Sequence, residues 1–204
     1  MIDLYLAPTR NGFRAAIALA ECGLDFRAHR IDLAKGEQKS PGHLKISPFG
    51  RVPAIVDHDG PGGKPLALFQ SGAIALYAAE KSGRLIPRDG AARCEMMAWF
   101  LTAVTDVAAT STAILHVGSE VPDRTPGNLE FFEKRLIALV RVLDARLASK
   151  TYLMDELTIA DLAFYPVIAH RRPIIEKAGE FGNVWRWIAV LGARPGVMKG
   201  MTCV

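Results

Sequence analysis

Cysteine is scarce. Cys22, Cys94 and Cys203 are the only three in 204 residues, odd in number and far apart, which excludes a disulfide scaffold and suits a reducing compartment. No CxxC occurs, so the chain lacks the vicinal dithiol of a self-contained disulfide exchanger. The five histidines, His29, His43, His58, His116 and His170, fall into no His-Glu-x-x-His or Cys/His spacing, and no metal site is expected. A nucleophile elbow and a Walker loop are also missing. Gly60-Pro61-Gly62-Gly63 lacks the following Lys-Ser/Thr and reads as a turn. Any chemistry must then use a reactive group brought by a ligand.

Charge of one sign is not concentrated either. The net charge of +4 comes from 25 Lys and Arg against 21 Asp and Glu with no basic block, so no nucleic-acid partner is expected. The longest apolar stretch, Met96 to Val117, is broken by Asp106 and several Thr and Ser, and is read as a buried helix, not a membrane span. Met1-Ile2-Asp3-Leu4-Tyr5 carries no basic segment, apolar stretch and small-residue cleavage site, which leads us to expect a cytoplasmic protein away from the membrane. With half its residues apolar, the chain can bury a core and is not disordered.

Ile2 to Leu6 reads as a strand, Ala7 to Gly12 as a loop, and Phe13 to Cys22 as a helix that Gly23 ends. Phe26 to Ile31 is a second strand, and the strand-helix-strand order implies a parallel pair joined by a right-handed crossover. After the polar stretch Asp32 to Pro48, the runs Val52 to Asp57 and Leu66 to Phe69 flank a Gly/Pro turn and form a hairpin. A helix starts at Ser71 and ends near Gly83. Beyond it only helical patterns remain, near 91–117, 129–148, 158–170 and 184–193. This composition shift places a small α/β domain at 1–83, a linker at 84–90 and an all-helical domain at 91–204.

Three features can carry chemistry. Val52-Pro53 precedes a short strand. The dipeptide alone favours an ordinary trans bond, since only about 5–6% of X–Pro bonds are cis, but a cis bond would turn the Val52 N–H and C=O outward to pair with an extended peptide. Phe69-Gln70-Ser71-Gly72 joins a strand to a helix. There Ser71 suits an N-cap, the first turn favours an anion, and Gln70 adds a donor and an acceptor. Pro8-Thr9-Arg10-Asn11-Gly12 follows the first strand, where open α/β sheets place ligand chemistry. Thr9 and Asn11 are hydrogen-bond donors to a bound thiol or, equally, helix caps.

Together these features resemble the cytosolic glutathione transferases: a thioredoxin-like domain with a proline-preceded strand, Gln70-Ser71 opening the third helix, and a helical second domain. Leu157-Thr158-Ile159-Ala160-Asp161 resembles the family's capping box and hydrophobic staple, with Thr158 as the cap and Asp161 reaching back. Ala7 to Gly12 with Asp32-Leu33 and Ser47-Pro48 is most similar to the bacterial nu class, related to the disulfide-bond reductases of this fold. The resemblance implies a mixed four-stranded sheet followed by an all-α domain, and glutathione as substrate.

Carried over by position, Gln70 and Ser71 hold the γ-glutamyl end, the backbone at Val52-Pro53 pairs with the cysteinyl amide, and Gln38 reaches the glycyl end. Asn11, assisted by Thr9, donates to the sulfur. Lowering a thiol pKa from about 8.5 to about 6.5 takes roughly 2.7 kcal/mol. Tyr5, mid-strand, is read as a packing residue, and Cys22, at the far end of its helix, as a small buried hydrophobe. Where near relatives bring an Arg to the ligand this chain reads Phe131, so that contact is not carried over; Arg135, Arg171 and Arg172 are the alternatives. The second substrate is an electrophile or a disulfide, with Met97, Trp99, Phe100, Leu101 and Thr105 as candidate pocket residues. The resemblance also implies a homodimer. The rival expectation is a non-catalytic adaptor of the same fold, similar to the stringent starvation proteins that bind RNA polymerase.

Overall fold

The computed structural model describes all of residues 1–204. Strands β1 (Ile2–Leu6), β2 (Phe26–Arg30), β3 (Ala54–Asp57) and β4 (Leu66–Phe69) alternate with helices α1 (Arg10–Glu21), α2 (Pro41–Ile46) and α3 (Ser71–Ser82). Then follow α4 (Gly90–Thr102), α5 (Ala108–Leu115), α6 (Pro126–Leu147), α7 (Ile159–His170), α8 (Arg172–Lys177), α9 (Gly182–Gly192) and α10 (Pro195–Met201). Contacts divide the chain into two compact units, Met1–Ile86 with Gly192–Val204, and Pro87–Leu191. The boundary expected from chain order thus differs from the contacts at the C-terminus, because α10 returns to pack on α1.

In the first unit the sheet order is β2-β1-β3-β4, with β1 and β2 parallel and the other pairs antiparallel. Period-2 alternation on β1 buries Ile2, Leu4 and Leu6 and leaves Asp3 and Tyr5 on the other face. Helices α1 and α3 pack together, burying Ala15, Ala16, Ile17, Ala18 and Leu19 of the first and Ile74, Ala75, Ala78 and Ala79 of the second. Their many alanines let the helix backbones approach closely. Each large aliphatic side chain so buried contributes about 1.5–3 kcal/mol.

Helix α1 begins three residues before the expected Phe13. The Thr9 hydroxyl oxygen accepts from the Gly12 N–H at 3.1 Å and caps a turn that includes Asn11. A Cβ at Gly12 would stand 2.3 Å from the Ala7 carbonyl oxygen, so only glycine lets this turn sit on the strand end. The Val52–Pro53 bond is cis, against the expectation from dipeptide frequency; a tertiary amide prefers trans by only about 0.5–1 kcal/mol, so surrounding structure decides. Helices α2, α8 and α10 had no counterpart in the periodicity. All three are short and carry proline in the first turn, a start signal that does not need an apolar stripe.

The second unit is helical throughout. From Gly90 to Glu120 the chain is continuously helical, with π turns at 103–107 and 116–120. This run is long and apolar enough to cross a membrane by length and composition, contrary to the expectation that Asp106 disqualifies it. Its Met96, Phe100, Ala103, Val107 and Ile114 are core residues, and α4 packs on α7 and α5 on α6. Phe100, expected at a pocket, belongs to this core at 3% exposure, one turn from Met96, while Leu101 and Thr105 are exposed. The expected capping box forms: the Thr158 N–H and hydroxyl donate to one Asp161 oxygen, and the Leu153 N–H and Trp187 indole N–H donate to the other. These four donors fix the start of α7 to α9.

Candidate active site

Asn11, Val52, Pro53, Gln70 and Ser71 line one cleft of the first unit, with Ser47, Phe49, Arg51 and Phe69. Three chain segments meet there: the first turn of α1, the loop entering β3, and the β4–α3 junction. The first and third are helix N-termini, whose unpaired N–H groups favour negative charge.

The loop before β3 is braced from behind. The Arg51 carbonyl accepts from the Ser47 hydroxyl at 2.8 Å and from His43 Nε2 at 2.9 Å, and the Arg51 N–H donates to Ser47 Oγ at 3.3 Å. No hydrogen bond within the chain uses the Val52 N–H or C=O, so an extended peptide in the cleft finds both groups ready to pair.

At the β4–α3 junction Gln70 is held at φ 73°, ψ 119°. For a side chain larger than glycine this region costs on the order of 1–3 kcal/mol and persists only where the surroundings impose it. Gln70, not Ser71, occupies the N-cap, and it makes no side-chain cap bond. The expected capping role of Ser71 is therefore corrected: its hydroxyl oxygen accepts from Arg14 Nη1 at 2.9 Å.

Arg14 is the residue that sequence reasoning missed. Its Nη1 donates to Asn11 Oδ1 at 2.6 Å as well as to Ser71 Oγ, joining residues 57 positions apart. The side chain is 1% exposed. Burial, with the neighbouring Arg10 charge adding to it, pulls the guanidinium down to about 10, so it stays charged at neutral pH. The legible signal was a single cation among Ala15, Ala16, Ile17 and Ala18, one helical turn beyond Asn11.

Thr9 Oγ is spent as the α1 cap acceptor, while its own hydrogen remains a donor. Gln38 is not among the cleft residues: it lies on a short 3-10 turn, Glu37–Lys39, with its Nε2 directed to the Leu33 carbonyl at 3.5 Å. Tyr5 stacks on His29 with ring centres 4.8 Å apart. Cys22 is 2% exposed, and burial pushes its thiol up, the opposite of an activated nucleophile. In the second unit Phe131 is 62% exposed, Arg171 binds the Ser111 hydroxyl at 2.9 Å, and Arg135 binds Thr110 at 3.3 Å.

Residues 2–80 match the glutathione S-transferase N-terminal domain and residues 130–195 the glutathione S-transferase C-terminal domain. The disulfide-bond oxidoreductase YfcG of Escherichia coli (strain K12) is 38% identical over 198 residues, 96% of this chain and 92% of that protein. A Pseudomonas putida glutathione transferase, solved with one glutathione disulfide bound per subunit, superposes with TM-score 0.92 at 31% identity, covering 98% of this chain and 90% of that one. A family member from Pseudomonas fluorescens pf-5 with two glutathione bound gives TM-score 0.90 at 35% identity, covering 98% and 92%. The chain belongs to the glutathione S-transferase family, in the branch that includes the bacterial disulfide-bond oxidoreductases.

Proposed function

We propose that this chain binds glutathione in the cleft of its first unit and uses the bound thiolate as its nucleophile. The observation that carries the reading is the donor set: the Asn11 amide and the Ser71 hydroxyl both have their oxygens turned to Arg14, which leaves N–H and O–H groups to face an anion. Hydrogen bonding to the charged form lowers a thiol pKa. Asn11, helped by the Thr9 hydroxyl, receives the sulfur; Val52 pairs its backbone with the cysteinyl amide beside Pro53; Gln70 and Ser71 take the γ-glutamyl carboxylate and amine. Gln38 is retained at the glycyl end only through a change of its side-chain direction.

The thiolate attacks either an electrophilic carbon, forming a thioether as the carbon–halogen bond breaks and halide departs, which detoxifies the acceptor, or one sulfur of a disulfide, forming a mixed disulfide and releasing the other sulfur as thiolate. The glutathione disulfide bound by the Pseudomonas putida relative supports the second. We read the enzyme as a cytoplasmic homodimer that engages neither nucleic acid nor membrane; Phe49, 65% exposed beside the cleft, suits a buried place against a second copy.

Isothermal titration with reduced and oxidised glutathione tests the reading. Binding of either at millimolar concentration or below is expected, and no binding at that level overturns it. Parallel assays with hydroxyethyl disulfide and a halogenated aromatic then rank reduction against conjugation.

A further inference from the structure

We infer that Arg14 is a positioning residue for the thiolate, acting through Asn11 rather than on the ligand. This rests on the proposed glutathione reading and extends it to a residue outside the cleft lining. A guanidinium has donors and no acceptor, so whichever atom of the Asn11 amide faces it must be the oxygen. The Nη1 atom carries two hydrogens, and its two bonds, to Asn11 Oδ1 at 2.6 Å and to Ser71 Oγ at 2.9 Å, use both. Asn11 therefore has its amide oxygen committed to Arg14, and since Asn11 lines the cleft, the NH₂ group is the part of the amide left to meet a ligand there.

An amide free to flip would present its carbonyl to the sulfur part of the time and repel the thiolate. The fork removes that alternative. The same cation engages Ser71 Oγ as an acceptor inside the protein and leaves its hydrogen available as a donor. A single buried cation thus fixes the Asn11 amide as a donor toward an anionic ligand and holds Ser71 Oγ beside it with its hydrogen free to donate. Because Arg14 is 1% exposed, its charge is poorly screened, and a charge-assisted bond of this length is about twice as strong as a neutral one.

The groups around Arg14 support this assignment. Arg14 is deeply buried and Arg10, one turn away, is a second cation; burial first and the Arg10 charge second lower the Arg14 pKa, while Nη1 holds the Asn11 and Ser71 oxygens.

The test is the pKa of glutathione bound to the enzyme, read from thiolate ultraviolet absorbance against pH in the native protein, Arg14→Met, Asn11→Ala and the double variant. The native complex should show a thiol pKa below that of free glutathione. Arg14→Met should raise it by about one unit, a roughly tenfold fall in the acid dissociation constant of the thiol, and turnover should return as the pH is raised past the new value. In the Asn11→Ala background the same substitution should shift the pKa much less, because its effect passes through the amide. An unshifted pKa in folded, glutathione-binding Arg14→Met, or fully additive shifts in the double variant, overturns the inference while leaving glutathione binding intact. Failure of the native protein to bind glutathione removes the underlying reading instead. Should Arg14→Met not fold, a crystal of the native complex decides: the sulfur on Asn11 Nδ2 supports the role, and the sulfur on Oδ1, or away from Asn11, ends it.

Discussion

Gly200 of α10 lies directly on the backbone of Ile17 in α1: a Cβ at Gly200 would stand 2.5 Å from the Ile17 nitrogen and 2.6 Å from its Cα. No side-chain movement relieves a clash with main-chain atoms. Alongside it, Arg194 Nε and Nη2 reach one Glu21 oxygen at 3.0 and 2.7 Å, and the Val197 N–H reaches the other at 3.2 Å. The C-terminal helix is thus a structural part of the first unit. Gly200→Ala should cost about 1–3 kcal/mol through overpacking and lower the melting temperature. An unchanged melting curve would show that α10 is dispensable to the unit.

That closure of the chain on itself was not legible in the sequence. The four strands, α1, α3 and the long helices announced themselves through apolar period, and Thr158-Ile159-Ala160-Asp161 through a capping pattern whose bonds the structure repeats. Local signals carry such elements. Arg194 and Glu21 lie 173 residues apart, and no periodicity relates them. The cleft was half legible for the same reason: Asn11, Gln70 and Ser71 stand in recognisable turns, whereas Arg14 becomes part of the site only when α1 packs beside α3. The direction of the Gln38 side chain depends on the Leu33 carbonyl, a contact that no motif encodes.

The fourfold-bonded Asp161 makes a second prediction. Burial pushes its carboxyl up, although donors from Leu153, Thr158 and Trp187 work in the other direction. Asp161→Asn keeps the shape and can keep two of the bonds, but its NH₂ group meets the Thr158 N–H, one donor against another. A buried donor left unmatched costs about 1–3 kcal/mol. Chemical denaturation should show that loss with an unchanged m-value, and equal stability would mean that the capping box contributes little.

Gln70 sets stability against binding. At φ 73° glycine is relaxed where glutamine is not, so Gln70→Gly should be stability-neutral or gain up to about 1 kcal/mol, whereas Gln70→Ala keeps the strain and gains nothing. Both variants lose the side-chain amide, and both should bind glutathione roughly tenfold more weakly, the equivalent of about 1.4 kcal/mol. Calorimetry of folding and of binding separates the effects. Undiminished affinity in Gln70→Ala would remove the side chain from the site.

Asp57 gives the fold its sensitivity to acid. The carboxylate is buried, which by itself would raise its pKa, yet hydrogen bonds from Lys81 Nζ at 2.7 Å, the Tyr77 hydroxyl at 2.6 Å and the Asp59 N–H at 2.9 Å outweigh burial and hold it below the ordinary 3.8. A carboxyl with a depressed folded-state pKa adds stability that is fully present above its unfolded value and is lost as the pH falls through the folded one. The contribution is therefore complete at neutral pH and is lost progressively as the pH falls below about 4 toward the lowered folded-state value. Asp57→Asn should be less stable than the native chain by about 2 kcal/mol at pH 7, since it gives up the charge-assisted hydrogen bonds from the Lys81 ammonium and the Tyr77 hydroxyl. That gap should narrow steadily in urea melts taken from pH 5 down to pH 3. A gap that stays constant over this range would mean that the carboxylate and its neighbours are held together by shape, not by charge.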